Sequence, residues 1–216
     1  MRMLIALLVV VALVVPVAAT DWCGCNGMVY LSFDAKVTTS VKEQAAGDGG
    51  ITMVDVYAVL DDVDKVEGPS GVMLALGGFE LELRVTGAEP LAVSKDVLVP
   101  HRDFGARATQ CRVGTPGEKI LDTRLPLCHW LVTFQGDFAD VRFDLDPAGA
   151  ASCDGVAGCR DAAASAVYVG TVDARQEGFL FGAGCVPAVL NPTGEPDLTP
   201  VPCTVTCDAA GIFRSR

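Results

Sequence analysis

The chain of 216 residues is half apolar and one-fifth charged, with a formal charge of −11, a composition that excludes a disordered acidic tail. Its acidity excludes a general nucleic-acid binder, which needs a basic surface to displace counterions from phosphates, and equally excludes docking on anionic lipid. Two histidines cannot supply a three-histidine zinc site.

In chain order the first expected element is a leader. Arg2 precedes an apolar run from Met3 to Val15, followed by Pro16 and small residues, and Val17 and Ala19 suit the positions three and one before a cleavage point. This is the layout of a secretory signal peptide over residues 1–19. The run is shorter than the roughly 20 apolar residues that span a bilayer. Thr20, not a cysteine, follows the cut, which argues against a lipoprotein. The mature chain loses Arg2 and is expected to be soluble and secreted, periplasmic or at the cell surface, with no membrane contact. Residues 20–26 form a cysteine-containing lead-in.

Strand signals dominate from there. In Val29–Phe33 the apolar Val29, Leu31 and Phe33 share one face, and Ile51–Leu60 is β-branched and bounded by the turn-prone GDGG and DDVD. The clearest pattern is GGFELELRVTG: Phe79, Leu81, Leu83 and Val85 point one way, Glu80, Glu82 and Arg84 the other. Period two of this kind marks a half-buried strand of an antiparallel sheet. Further strands are expected at Ala92–Val99, Trp130–Phe134, Asp140–Leu145, Ala166–Val172 and Phe179–Phe181, with Gly-, Pro- and Asp-rich turns between them. Helical signal is confined to short turns at Ser40–Ala46 and at 160–166. The sum is an all-β fold, an antiparallel β-sandwich of about 8–9 strands over residues 27–190. A Pro-, Thr- and Cys-containing tail occupies 191–216.

All nine cysteines follow the leader: Cys23, Cys25, Cys111, Cys128, Cys153, Cys159, Cys185, Cys203 and Cys207. In an exported chain they read as disulfide staples. The paired Cys-x-x-Cys spacing of a metal site does not occur, and His129 follows Cys128 directly, so in a strand the two point to opposite faces. Cys153–Cys159 and Cys111–Cys128 are the expected pairs. Cys203 either closes a short loop with Cys207, or one of the two reaches back to Cys23, Cys25 or Cys185. An odd count leaves at least one thiol free or paired with another chain.

The run VDVYAVLDDVDKVEGPSGVMLALGGFELELRVTGAEPLAVS resembles the opening of cohesin-type modules. WLVTFQGDFADVRFDLDPAGA resembles their paired middle strands, and VYVGTV with FLFGAGCVPAVLN their closing ones. The layout is also similar to cysteine-containing secreted bacterial β-sandwich proteins with a Pro-rich tail. The resemblance implies a jelly-roll of about nine strands and a non-catalytic binding or scaffold role toward another protein. Cohesins are usually poor in cysteine, and no binding residue carries over by motif.

The search for chemistry is largely negative. No Gly-x-Ser-x-Gly elbow, His-Glu-x-x-His helix or Gly-x-x-x-x-Gly-Lys-Ser/Thr loop occurs. A serine or cysteine nucleophile needs a histidine base; His101 falls in a loop after Pro100, and His129 reads as structural or surface. Glu80 and Glu82 share a strand face about 7 Å apart, a spacing of interest for glycoside hydrolysis, but alternating charge is also the ordinary solvated face of a strand. No catalytic residue and no cofactor are assigned. Calcium is the metal that Asp61, Asp62 and Asp64 would suit, as would Asp144 with Asp146, although neither run has the EF-hand glycine and a solvated acidic turn accounts for both. A carbohydrate-binding module, calcium-stabilised, is the alternative to a protein-binding one, with a surface glycan as ligand. Against it stands the scarcity of aromatics: Trp130 alternates with Val132 and Phe134 and so faces the core, and Trp22 adjoins Cys23.

Overall fold

The computed structural model describes residues 23–36, 39–61, 74–99, 102–103, 107–114, 124–146, 166–171 and 178–200. Twelve strands are formed among the described residues: β1 (Cys23–Ser32), β2 (Val41–Lys42), β3 (Ile51–Asp61), β4 (Leu74–Thr86), β5 (Ala92–Val97), β6 (Arg102–Asp103), β7 (Gln110–Gly114), β8 (Leu125–Gln135), β9 (Val141–Asp146), β10 (Ala166–Thr171), β11 (Gly178–Val186) and β12 (Ala188–Leu190). The helical content among the described residues is a single 3-10 turn at Asp48–Gly50.

Strand pairing follows one path, β2-β12-β9-β4-β10-β11-β1-β3-β8-β5, with β7 on the other side of β4 and β6 beyond it. Both β9 and β10 run antiparallel to β4, one leaving at Asp146 opposite Glu82 and the other entering at Ala166 opposite Glu80. They are two lengths of one line. The same holds for β11 with β12, which pair β10 and β9 in turn, and for β1 with β2, which run parallel to β11 and β12. Twelve segments therefore make nine lines, in agreement with the expected sandwich. The parallel pairings make the arrangement mixed rather than wholly antiparallel, because the first and last lines of the chain lie side by side in one direction.

The path curls so that β5-β8-β3-β1 faces β6-β7-β4-β9. Between them lies a core whose largest fully buried side chains include Trp130, Phe79, Phe134 and Phe143. Phe134 and Phe143 meet edge to face across the layers at 6.3 Å. The Cys111–Cys128 disulfide ties β7 to β8, strands that are not neighbours in the path. Lys95 of β5 also donates to the Gln110 carbonyl of β7. The open seam of the sandwich is thus closed by a covalent bond and a charged hydrogen bond.

Local sequence explains the inward set. In β3, Thr52, Val54, Val56 and Ala58 are buried while Ile51, Met53, Asp55 and Tyr57 face out. A bulge in β8, where Leu127 falls between the Ala58–Cys128 and Val59–Pro126 pairs, lets Leu127 and Cys128 both join the core opposite Ala58 and Leu60, while the buried Val59 alternates to the other side beside Tyr30. In β4 the predicted faces hold: Phe79, Leu81 and Leu83 are buried and Val85 packs against the core. Gly78 permits a close approach of β7, since a Cβ there would fall 2.4 Å from the Val113 carbonyl oxygen.

One helical expectation requires correction. Ser40–Ala46 does not form a helical turn: Val41 and Lys42 pair with Val189 and Leu190, and the Asn191 side chain accepts from the Gln44 amide at 2.7 Å and donates to its carbonyl at 2.9 Å. Tertiary partners offer these backbone groups more than one isolated turn can. Ala166 opens β10, in line with the strand expected over Ala166–Val172, and residues 160–165, where the other helical turn was expected, lie outside the described residues.

Candidate binding face

The two outer faces of the sandwich differ in kind. On the β4-β7-β9 side, Glu80 is paired with Arg112 at 3.3 Å, and Glu82 with Arg107 at 3.0 Å. Arg84 bridges Asp144 at 3.3 Å and Asp146 at 2.9 Å, and Arg142 takes Asp144 at 3.0 Å. Asp144 is buried, so its carboxylate depends on these two guanidinium groups. The alternation of Glu80, Glu82 and Arg84 is therefore an ionic ladder and not a free carboxylate pair.

On the β3-β8-β5 side the register sets three strands in rows. Met53, Thr133 and Ala92 form one row; Asp55, Leu131 and Ser94 the next; Tyr57, His129 and Asp96 the third. Among the described residues, the exposed large apolar side chains are Ile51, Met53, Leu91 and Leu98. Ile51 and Met53 project from β3, and Leu91 and Leu98 stand at the two ends of β5. Met53 and Leu91 are each 59 % exposed. Exposed apolar groups gathered in one region mark a contact surface far better than the same groups scattered.

The third row carries an ordered polar cluster. The Tyr57 ring stacks on the His129 imidazole with centroids 4.6 Å apart and planes 18° from parallel. His129 Nε2 donates to Asp55 Oδ1 at 2.8 Å, which fixes the ring. The Tyr57 hydroxyl is held above its ordinary pKa, first by burial and then by the negative charges of Asp55 and Asp34. The charged side chains of the three rows are Asp55 and Asp96, with no lysine or arginine among the outward residues.

The residues singled out in the sequence fall as follows. Asp61 ends β3, and its carboxylate accepts from Arg124 Nε at 3.0 Å and Nη2 at 2.7 Å; Asp62 and Asp64 lie outside the described residues. Asp144 and Asp146 stand in β9, not in a loop, and both pair with arginine. Among the described residues no group of three His, Cys, Asp or Glu is gathered so as to hold a metal ion. Trp130 is fully buried, as its alternation implies. His101 and Trp22 lie outside the described residues.

Of the cysteines, Cys111 and Cys128 are joined. Cys185, a disulfide candidate by sequence, is a free thiol buried in the core. Burial pushes it up to about 12, with the Asp144 charge adding to the rise and a Leu145 backbone hydrogen bond opposing it. Cys153, Cys159, Cys203 and Cys207 lie outside the described residues. Sequence reading missed the Tyr57–His129–Asp55 cluster. Asp55 and Tyr57, two apart in one strand, share a face, but His129 reaches Asp55 across 74 positions through strand register alone.

No family model and no curated protein matches the chain. Solved structures to which it is similar include cohesin modules. The structure of a CaDoc0917 variant in complex with CaCohA2 at pH 5.5 matches with TM-score 0.42 and 9 % identity, over 77 % of this chain and 99 % of that one. The seventh ScaB type I cohesin of Pseudobacteroides cellulosolvens matches with TM-score 0.42 and 9 % identity, over 78 % and 92 %. The cohesin module of a Clostridium perfringens family 33 glycoside hydrolase matches with TM-score 0.37 and 8 % identity, over 78 % and 98 %.

Proposed function

We propose that the chain is a secreted, non-catalytic binding module of cohesin-like type that takes a protein partner outside the cell. The observation that carries this reading is the exposure of Ile51 and Met53 on the outer side of β3, with Leu91 and Leu98 exposed at the two ends of β5, while the opposite face is closed by ion pairs. Apolar side chains left in water at one place lower the free energy of association when a partner covers them. The leader-like residues 1–19 and the disulfide fit an oxidising compartment. The resemblance of the strand pattern to cohesin-type modules implies the same role.

The test is a crosslinking and mass-spectrometry screen of the mature chain, residues 20–216, against the extracellular proteins of its source, followed by titration of each captured protein. Saturable binding of a protein supports the proposal. A glycan array gives the competing outcome: a sugar hit with quenching of tryptophan fluorescence, and no saturable protein, would replace it with the carbohydrate-binding reading.

A further inference from the structure

We infer that the β3-β8-β5 face docks a polypeptide segment that presents aliphatic side chains flanked by lysine or arginine, and that the Tyr57–His129 stack with Asp55 and Asp96 receives the basic group. This rests on the binding-module reading and adds the place and the chemistry of the partner.

The argument starts from what the face lacks. Each acidic ladder residue on the β4-β7-β9 side has its own arginine, so a partner there must first break an ion pair. On the β3-β8-β5 side the carboxylates of Asp55 and Asp96 have no lysine or arginine beside them in the three rows. Asp55 is 49 % exposed even while it holds His129. It therefore retains an oxygen for a second partner, because a carboxylate accepts at both of its oxygens. Asp96 stands directly across from His129 on β5 and is exposed. A cation over the aromatic stack thus meets a carboxylate on either side, and a guanidinium also stacks on aromatic rings.

The apolar part lies next to it. Leu131 sits between Asp55 and Ser94 in the second row, and Met53 and Ala92 lie in the row beyond. An aliphatic side chain placed there covers Met53 and excludes water from the charged contact, which strengthens it. Charge selects among occupants. A second copy of this chain would bring Asp55 and Asp96 against their own equivalents on a molecule of formal charge −11, an arrangement opposed by like-charge repulsion. A sugar would need a platform of several aromatic rings, and the three rows hold only Tyr57 beside the His129 imidazole.

The test uses the mature chain and three capped nonapeptides: one alternating serine with leucine and arginine, one with each arginine replaced by glutamate, and one with each leucine replaced by serine. Binding is read by fluorescence anisotropy, and its place by backbone amide shifts in NMR. The leucine–arginine peptide is expected to shift the amides of Met53, Tyr57, Leu131, His129 and Asp96. The other two peptides should bind at least about tenfold more weakly, as should the first peptide to Met53→Ser and Asp96→Asn variants. Unchanged circular dichroism would show that these variants fold.

No binding by any peptide, equal binding of the glutamate peptide, or shifts confined to β4, β7 and β9 would each overturn the inference. So would self-association in sedimentation equilibrium that Met53→Ser abolishes, since the occupant would then be a second copy. A captured protein whose affinity survives both substitutions overturns this face and leaves the binding-module reading standing; absence of any saturable protein partner overturns that reading itself.

Discussion

The outer faces of β4 and β3 are built from the same alternating pattern and reach opposite ends. On β4, outward Glu80, Glu82 and Arg84 are answered by Arg112, Arg107 and the two β9 aspartates. On β3, outward Ile51 and Met53 are left in water, and Asp55 and Tyr57 gather around His129. The difference lies in what each register places opposite. A face whose polar groups find partners within the chain contributes to its own stability, whereas one whose groups remain unanswered is available to another molecule.

The comparison is broken hardest at Asp144. Replacing both Arg84 and Arg142 by methionine leaves a buried carboxylate unpaired, and chemical denaturation should report a loss of about 3–5 kcal/mol. Either single replacement should cost far less, about 1 kcal/mol, because the remaining arginine still answers the charge and both are partly exposed. Next in size is the seam between the layers. Cys111→Ala with Cys128→Ala opens a loop whose ends are 17 positions apart, and chemical denaturation should report a loss of about 3 kcal/mol.

The underside of the ladder supplies a pH test. Cys185 lies beneath it with its thiol pushed up to about 12. An unfolded cysteine ionises near pH 8.5, so above that pH the unfolded chain loses a proton that the folded chain keeps. Stability therefore falls as pH rises, by about 1.4 kcal/mol per unit, until the folded thiol itself titrates. Urea midpoints compared between pH 8 and 10.5 should show this slope in the native chain and lose it in Cys185→Ala. The smallest effects belong to the open face. Met53→Ser and Ile51→Thr should change stability by no more than about 0.5 kcal/mol, and a larger loss in thermal melts would mean that the face is covered within the chain and not open.

Much of this architecture was legible from local pattern. Period two in Phe79–Val85 placed β4 and its inward set, and Trp130 was assigned to the core from its alternation with Val132 and Phe134. The short strands β2, β7 and β12 were not legible, because two to five residues carry too little periodicity to separate a strand from a turn. Ser40–Ala46 shows the cost: its local helical signal yielded to Val189, Leu190 and the Asn191 side chain, which belong to the far end of the domain. Among the residues singled out in the sequence, Glu80, Glu82, Asp61, Asp144 and Asp146 were visible as acids. That each is answered by an arginine was not, since Arg112, Arg107, Arg124 and Arg84 reach these acids from far along the chain.

The amino-acid sequence by itself determined the all-β class, the inward side of each long strand and the presence of many thiols, because these follow from composition and from side-chain alternation along one strand. Only the tertiary structure decided that Cys185 stays free, that the acids of one face are neutralised, and that Tyr57, His129 and Asp55 meet on the other. Those outcomes depend on which strands become neighbours and in what register. That is a property of the whole chain, since a shift of one residue in a strand's pairing would carry that strand's side chains to the opposite face.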